Sequence, residues 1–276
     1  MIELNNGAKI RELHNSEENK LLLAAQRQTY TDAKQVDLVN AIVCLLTPIV
    51  VTLFQVFMSV PSGVLILIWF ITLSIGIFLP CKSKRLVNEA AAIQQRFDSV
   101  VFGLKLENVS HDDKGIKLKA KRYYTRHHGD SSELGLDDWY SIELDDLKPG
   151  KAVAACQRQN VEWTKRLLIR SILVEIIISV VFVLVLCVLI IHQNVDCMNL
   201  FFLFSIAEWI IKRIIDGAQT LRRVANLSSA CSFELSLKNN VIQAQDAIYG
   251  YRQSPYLVPD WLYSLFKRID EAGTST

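Results

Sequence analysis

Seven residues in the middle of the chain have the types and spacing to hold a polyanion: Lys117, Lys119, Lys121, Arg122, Tyr123, Tyr124 and Arg126. In Gly115-Ile116-Lys117-Leu118-Lys119-Ala120-Lys121, apolar and basic residues alternate, which reads as a β-strand with Ile116, Leu118 and Ala120 inward. On a strand the three lysines share one face at intervals of about 6.6 Å. Cations at that spacing beside aromatic rings suit a ligand carrying several phosphates and bases. A solvated strand face, or attraction to anionic lipid headgroups, reads the same residues equally simply. His111-Asp112-Asp113 and His127-His128 contain metal-ligating types, but adjacent loop histidines lack the spacing of a metal site. No GxxxxGK[ST], GxGxxG, GxSxG or HExxH run is present, so the chain is expected not to be an enzyme and to need no metal or cofactor.

A second set of polar residues lies in apolar surroundings. Asp37, Asn40, Cys44, Thr47, Pro48 and Gln55 fall within about a third of a helix circumference. Such a stripe should meet protein or water, as a pore lining or as helix packing. Glu175 and Glu208 sit inside apolar stretches, with Lys212 and Arg213 nearby. Counting inward from the outer hairpin loop, Glu175 lies about 24 Å below Ile191, and Lys212 and Arg213 about 21–23 Å below Met198. Equal depth predicts an ion pair between Glu175 and Arg213, or Lys212, that a double charge reversal should rescue. Glu208 is expected to pair with Lys212, four residues along its own helix.

The elements that position these groups follow from composition. Of 276 residues 51% are hydrophobic, mean hydropathy is +0.24, and the net charge is only +2. That excludes a disordered tail, a disulfide scaffold and a strongly basic nucleic-acid binder, and no DNA or RNA polymer is expected as a partner. Six cysteines without a CxxC pair indicate neither zinc site nor disulfide framework. The apolar residues form two blocks, each twice the ~20 residues that cross a bilayer. Ser59-Val60-Pro61-Ser62-Gly63 breaks the first into Leu38–Met58 and Val64–Leu79. His192-Gln193-Asn194-Val195-Asp196 breaks the second into Leu167–Ile191 and Met198–Ile215. Four transmembrane helices in two hairpins result. Lys34, Lys82, Lys84, Arg85, Lys165, Arg166, Arg170, Lys212 and Arg213 flank one side, and the hairpin loops carry no Lys or Arg. Both termini are therefore expected in the cytoplasm, with no cleavable signal peptide.

The fold class read this way is a mainly α membrane protein whose helices extend into a small cytoplasmic α+β module. Residues 1–37 form an N-terminal helix with a weak capping pattern at Asn15 and Glu18, 38–79 the first hairpin, and 80–166 a helix, a β element and a returning helix. Residues 167–215 form the second hairpin and 216–276 the C-terminal helices, with a last short helix over Asp260–Asp270. Asp138–Leu144 is a candidate strand partner for the lysine strand, and Pro149-Gly150 a turn.

Several motifs are arranged around these spans. Arg27-Gln28-x-Tyr30-x-x-Ala33-Lys34 precedes the first, and Ile93-Gln94-x-x-Phe97-Asp98-x-x-Val101-Phe102 follows the second. Asp138-Trp139-Tyr140 is followed by Cys156-Gln157-Arg158-x-Asn160-x-x-Trp163-x-x-x-Leu167. Gln245-x-x-Ile248-Tyr249-x-x-Arg252 and Val258-Pro259-Asp260-Trp261-Leu262-Tyr263 close the chain. In order and placement these motifs resemble the SMODS-associating four-transmembrane (S-4TM) effectors of bacteria, from about residue 15 to 270. The resemblance implies an anti-phage effector of the CBASS type, encoded beside a nucleotidyltransferase that makes a cyclic oligonucleotide. That messenger would be the activating ligand, and the effector would disrupt the bacterial inner membrane by pore formation, causing abortive infection. One four-helix protomer has little room for a pore, so a homo-oligomer in the lipid bilayer is expected. The alternatives are a membrane-anchored binding or scaffold protein, or a small transporter, without a pore.

Overall fold

The computed structural model describes residues 4–58, 60–140, 142–193, 197–232 and 238–273. Eight α-helices are described: α1 Gly7–His14, α2 Glu17–Phe57, α3 Ser62–Phe102, α4 Asp113–His127, α5 Pro149–Gln193, α6 Cys197–Ser232, α7 Lys238–Arg252 and α8 Asp260–Gly273. A short 3-10 turn covers Ile142–Leu144. Among the described residues, three helices are long and apolar enough to cross a membrane, over Glu17–Val51, Ser62–Phe102 and Pro149–Val185. The fourth expected span falls on α6, where the side chains of 197–205 and 208 lie outside the described residues.

The chain divides into two compact units. The first comprises Met1–Ala33, Lys84–Arg166 and Arg222–Pro255. Its core gathers Ile10, Ala25, Ala90, Ile93, Phe97, Phe102, Leu136, Cys156 and Val241. Helix α1 is capped by Asn6, whose side chain accepts from Lys9 N. Gly7 N donates to Leu147 O at 3.2 Å, and a Cβ on Gly7 would stand 1.5 Å from Leu144 O. Because the obstacle is backbone, Gly7→Ala should lower stability by about 3 kcal/mol, the upper end for overpacking. A Cβ on Gly250 of α7 meets nothing within 4 Å. Gly250→Ala should therefore stabilise by about 0.5–1 kcal/mol. Denaturant midpoints of the two variants check both signs.

The second unit comprises Lys34–Ser83, Leu167–Leu221 and Tyr256–Thr276. Val51 and Leu65 form a buried pair with Val60 and Ile68 packed against it, closing the first hairpin. The surface of this unit is apolar: Leu38, Ile42, Leu46, Ile66, Phe70, Ile77, Leu173, Ile177 and Leu184 are all exposed. A face of that composition belongs against lipid, not water.

Four sequence expectations are corrected. Among the described residues there is no strand, so the expected α+β module is helical where it is described. Gly115–Lys121 lies inside α4, capped by Asp112, whose side chain accepts from Gly115 N at 2.9 Å. Ile116, Ala120 and Tyr123 are buried while Leu118 is exposed. Over seven residues, spacing of two and spacing of three to four overlap. The buried partner at 123 and the good helix formers Lys, Leu and Ala decide for the helix. The described residues of the expected strand, 138–140 and 142–144, are coil and 3-10 turn, and Pro149-Gly150 opens α5 as its first turn, where a missing N–H costs nothing. Asn15 is the C-cap of α1, not the N-cap of α2.

Candidate functional site

Helix geometry redistributes the seven basic and aromatic residues of α4. Lys117 and Lys121, one turn apart, are both exposed. Lys119 turns the other way and pairs with Glu89. Both terminal nitrogens of Arg122 donate to Asp32, each at 3.1 Å. Tyr123 is buried, its ring 4.5 Å from that of His127, while Tyr124 is half-buried and Arg126 exposed. The three lysines therefore do not line one face, and two of the seven groups hold carboxylates of the same unit. Asp113 of the His111 run pairs with Arg96 at 2.6 Å. No group of three or more His, Cys, Asp or Glu that could hold a metal occurs among the described residues.

The motif residues, scattered in sequence, meet inside the first unit. Asp98, on α3, accepts from Arg252 of α7 and from Gln245 Nε2 at 2.6 Å. Gln245 also donates to Gln95 Oε1 at 3.2 Å and accepts from Gln157 Nε2 at 3.0 Å. Gln95, Asp98, Gln157 and Gln245 are each no more than 1% exposed. Burial pulls the Arg252 guanidinium down, but the Asp98 charge and hydrogen bond hold it above its ordinary value. Tyr30, beside them, is pushed up to about 12 by burial. Burial likewise raises the Cys156 thiol, so it is an inert core residue. This arrangement is sealed from solvent and built to cross-link α3, α5 and α7.

Residues of α1, α2 and α5 pin the segment after α4. Arg27 donates to Leu134 O and Gly135 O, both at 2.7 Å. Asn15 Nδ2 donates to Asp138 Oδ1 at 2.8 Å, and Asn15 Oδ1 accepts from Asp138 N at 3.0 Å, holding that residue at φ 47. Trp139 Nε1 donates to Asn160 Oδ1 at 2.9 Å, and its ring meets Trp163 edge-on. His14 lies 3.0 Å from Leu136 O and packs edge-on against Phe97 and Tyr140. Burial lowers its pKa below 6.5. The unfolded chain therefore binds a proton that the folded chain rejects, and stability should fall as pH drops below about 6.5. Melting curves at pH about 7.5 and about 5.5 should show that loss in the wild type and a smaller one in His14→Leu.

In the second unit, Arg213 Nε donates to Glu175 Oε2 at 2.9 Å and its Nη2 to Oε1 at 3.2 Å. The pair expected from equal depth is thus made, and in the bidentate form. Arg213 also donates to Leu257 O at 3.0 Å, lies 3.6 Å from Asp37 and stacks 3.9 Å from the Tyr256 ring centroid. The Tyr256 hydroxyl donates to Glu175. Of the polar stripe, Asn40 and Pro48 are buried, Thr47 is half-buried, and Cys44 donates to Asn40 Oδ1 and sits against Gly76 of α3. This part of the stripe packs helix on helix. Lys212 is exposed; the side chains of Gln55 and Glu208 lie outside the described residues.

Tyr256 and the Asp98–Arg252 pair were not singled out as site residues by sequence reasoning. A tyrosine two residues before an apolar-proline step carries no local signal of its partner. Asp98 and Arg252 were visible only as members of motifs.

Residues 8–276 match the model of the SMODS-associating 4TM effector domain. A protein of Bacillus cereus (strain VD146), described as a probable CBASS effector molecule, is 24% identical, with 94% of each chain covered. No solved structure matches.

Proposed function

The chain belongs to the SMODS-associating 4TM effector family, and from that premise we propose that it is an anti-phage defence effector of the bacterial inner membrane. It crosses the bilayer four times, with both termini in the cytoplasm. A cyclic oligonucleotide activates it, several protomers assemble, and the membrane loses its barrier, so that the infected cell dies. It acts by binding and rearrangement, without catalysis and without a resident cofactor. The observation that carries this reading is the family match over nearly the whole chain. Three long apolar helices and the lipid-type surface of the second unit support the membrane part.

The test is leakage of a dye from liposomes holding the full-length protein, with and without a panel of cyclic di- and trinucleotides. Leakage that requires one of them supports the proposal. Binding without leakage favours a membrane-anchored scaffold instead, and leakage indifferent to every nucleotide rejects the activation step. For the ligand site, Lys117 and Lys121 are exposed lysines one turn apart on α4. Replacing either with Ala should weaken binding of the active nucleotide ten- to a hundredfold, at about 1.5–3 kcal/mol per charge-assisted contact. Titration of the purified variant checks this, and unchanged affinity removes α4 from the site.

A further inference from the structure

We propose that α8 lies on the headgroup layer of the bilayer with Trp261 and Leu265 turned into lipid, an inference that rests on the reading that the apolar stretches from Leu38 and Leu167 enter the membrane. Helix α8 has two apolar sides. Leu262 and Phe266 are packed into the second unit, at 0% and 8% exposed. Trp261 and Leu265 stand outside it, at 58% and 46% exposed. Each couple is four residues apart and so forms one short ridge.

The packed side is tied to residues that mark the edge of the spans. Lys34 Nζ is 2.7 Å from Asp260 Oδ1 and 5.6 Å from the Tyr263 ring centroid. The Arg170 guanidinium lies 5.9 Å from the Phe266 ring centroid. Lys34 stands one helical turn before Leu38, and Arg170 one turn into the stretch that opens at Leu167. Both cations therefore mark the level where the first and third stretches meet the headgroups. An element pinned to both must share that level. Near it, Leu38, Val39, Ile169 and Leu173 are exposed as well, so the ridge of α8 adds to an apolar surface of the same unit. A tryptophan beside an aliphatic residue on an amphipathic helix at this depth has the chemistry of an interfacial anchor. Lys267 and Arg268 follow in the sequence, which favours anionic lipid.

The experiment uses the full-length protein in phosphatidylglycerol-containing vesicles whose lipids carry bromine either near the headgroup or deep in the acyl chains. Tryptophan emission of the wild type minus that of Trp261→Phe isolates Trp261; the same subtraction with Trp69→Phe isolates a residue inside α3. The Trp261 signal should be lost to shallow bromine more than to deep bromine. The Trp69 signal should be lost in vesicles of either kind. Leu265→Ser should reduce the Trp261 quenching and leave Trp69 unchanged. A water-like, unquenched Trp261 signal with Trp69 quenched overturns the docking and leaves the spans standing. An unquenched Trp261 signal that shifts to the blue as protein is added assigns the ridge to a second copy of the chain and also overturns it. If neither residue is quenched, the membrane reading itself fails, and the docking with it.

Discussion

Asp98→Ala is expected to unfold the first unit, or to lower its stability by about 3–5 kcal/mol, which is a large share of the ~5–15 kcal/mol typical of a whole domain. The Asp98 and Arg252 side chains are 2% and 8% exposed. Removing the carboxylate leaves the buried guanidinium of Arg252 without the Asp98 counter-ion, and leaves Gln245 short of an acceptor. Arg252→Ala should cost a similar amount for the mirror reason. The double change Asp98→Leu with Arg252→Met should cost less than either single change, because no uncompensated charge stays behind. Denaturation midpoints in detergent measure all three. A single variant with the wild-type midpoint would show that water enters this site and solvates the orphaned charge.

Arg213→Ala should cost about 3 kcal/mol, the amount that insertion scales give for a lone charge held in hydrocarbon, here the carboxylate of Glu175. The Tyr256 hydroxyl still donates to that carboxylate and offsets part of the loss. From depth alone, the reversal of both charges should rescue most of the damage. The tertiary structure lowers that expectation. A glutamate at position 213 cannot donate to Leu257 O or stack on Tyr256, and it would face Asp37, now 3.6 Å from the guanidinium. The double variant Glu175→Arg, Arg213→Glu should therefore recover only part of the yield of folded protein. Complete recovery would mean that the contacts to Tyr256 and Leu257 contribute nothing. Size-exclusion profiles of the singles and the double decide between these results.

The amino-acid order by itself determined the long apolar helices, their breaks and the depth of the charges within them. These are one-dimensional properties. Helix rise is constant, and a turn signature such as Val60-Pro61-Ser62-Gly63 acts on its own neighbours, so α2 ends and α3 begins where the local chemistry requires. The Glu175–Arg213 pair was legible for the same reason, since the two side chains sit at matching distances from one hairpin loop.

Only the tertiary structure decided the rest. Whether Gly115–Lys121 is strand or helix depended on what its apolar side would meet, and the answer, burial of Ile116, Ala120 and Tyr123, lies outside the segment. That choice in turn separated Lys119 and Arg122, held by Glu89 and Asp32, from the exposed Lys117 and Lys121. The partners of Asp98 and of Arg213 are set by packing between segments far apart in the chain, 154 residues for Asp98 and Arg252 and 44 for Arg213 and Leu257. Contacts of that separation leave no period and no spacing in the sequence. They exist because a buried charge must be met by whichever group the fold carries to it.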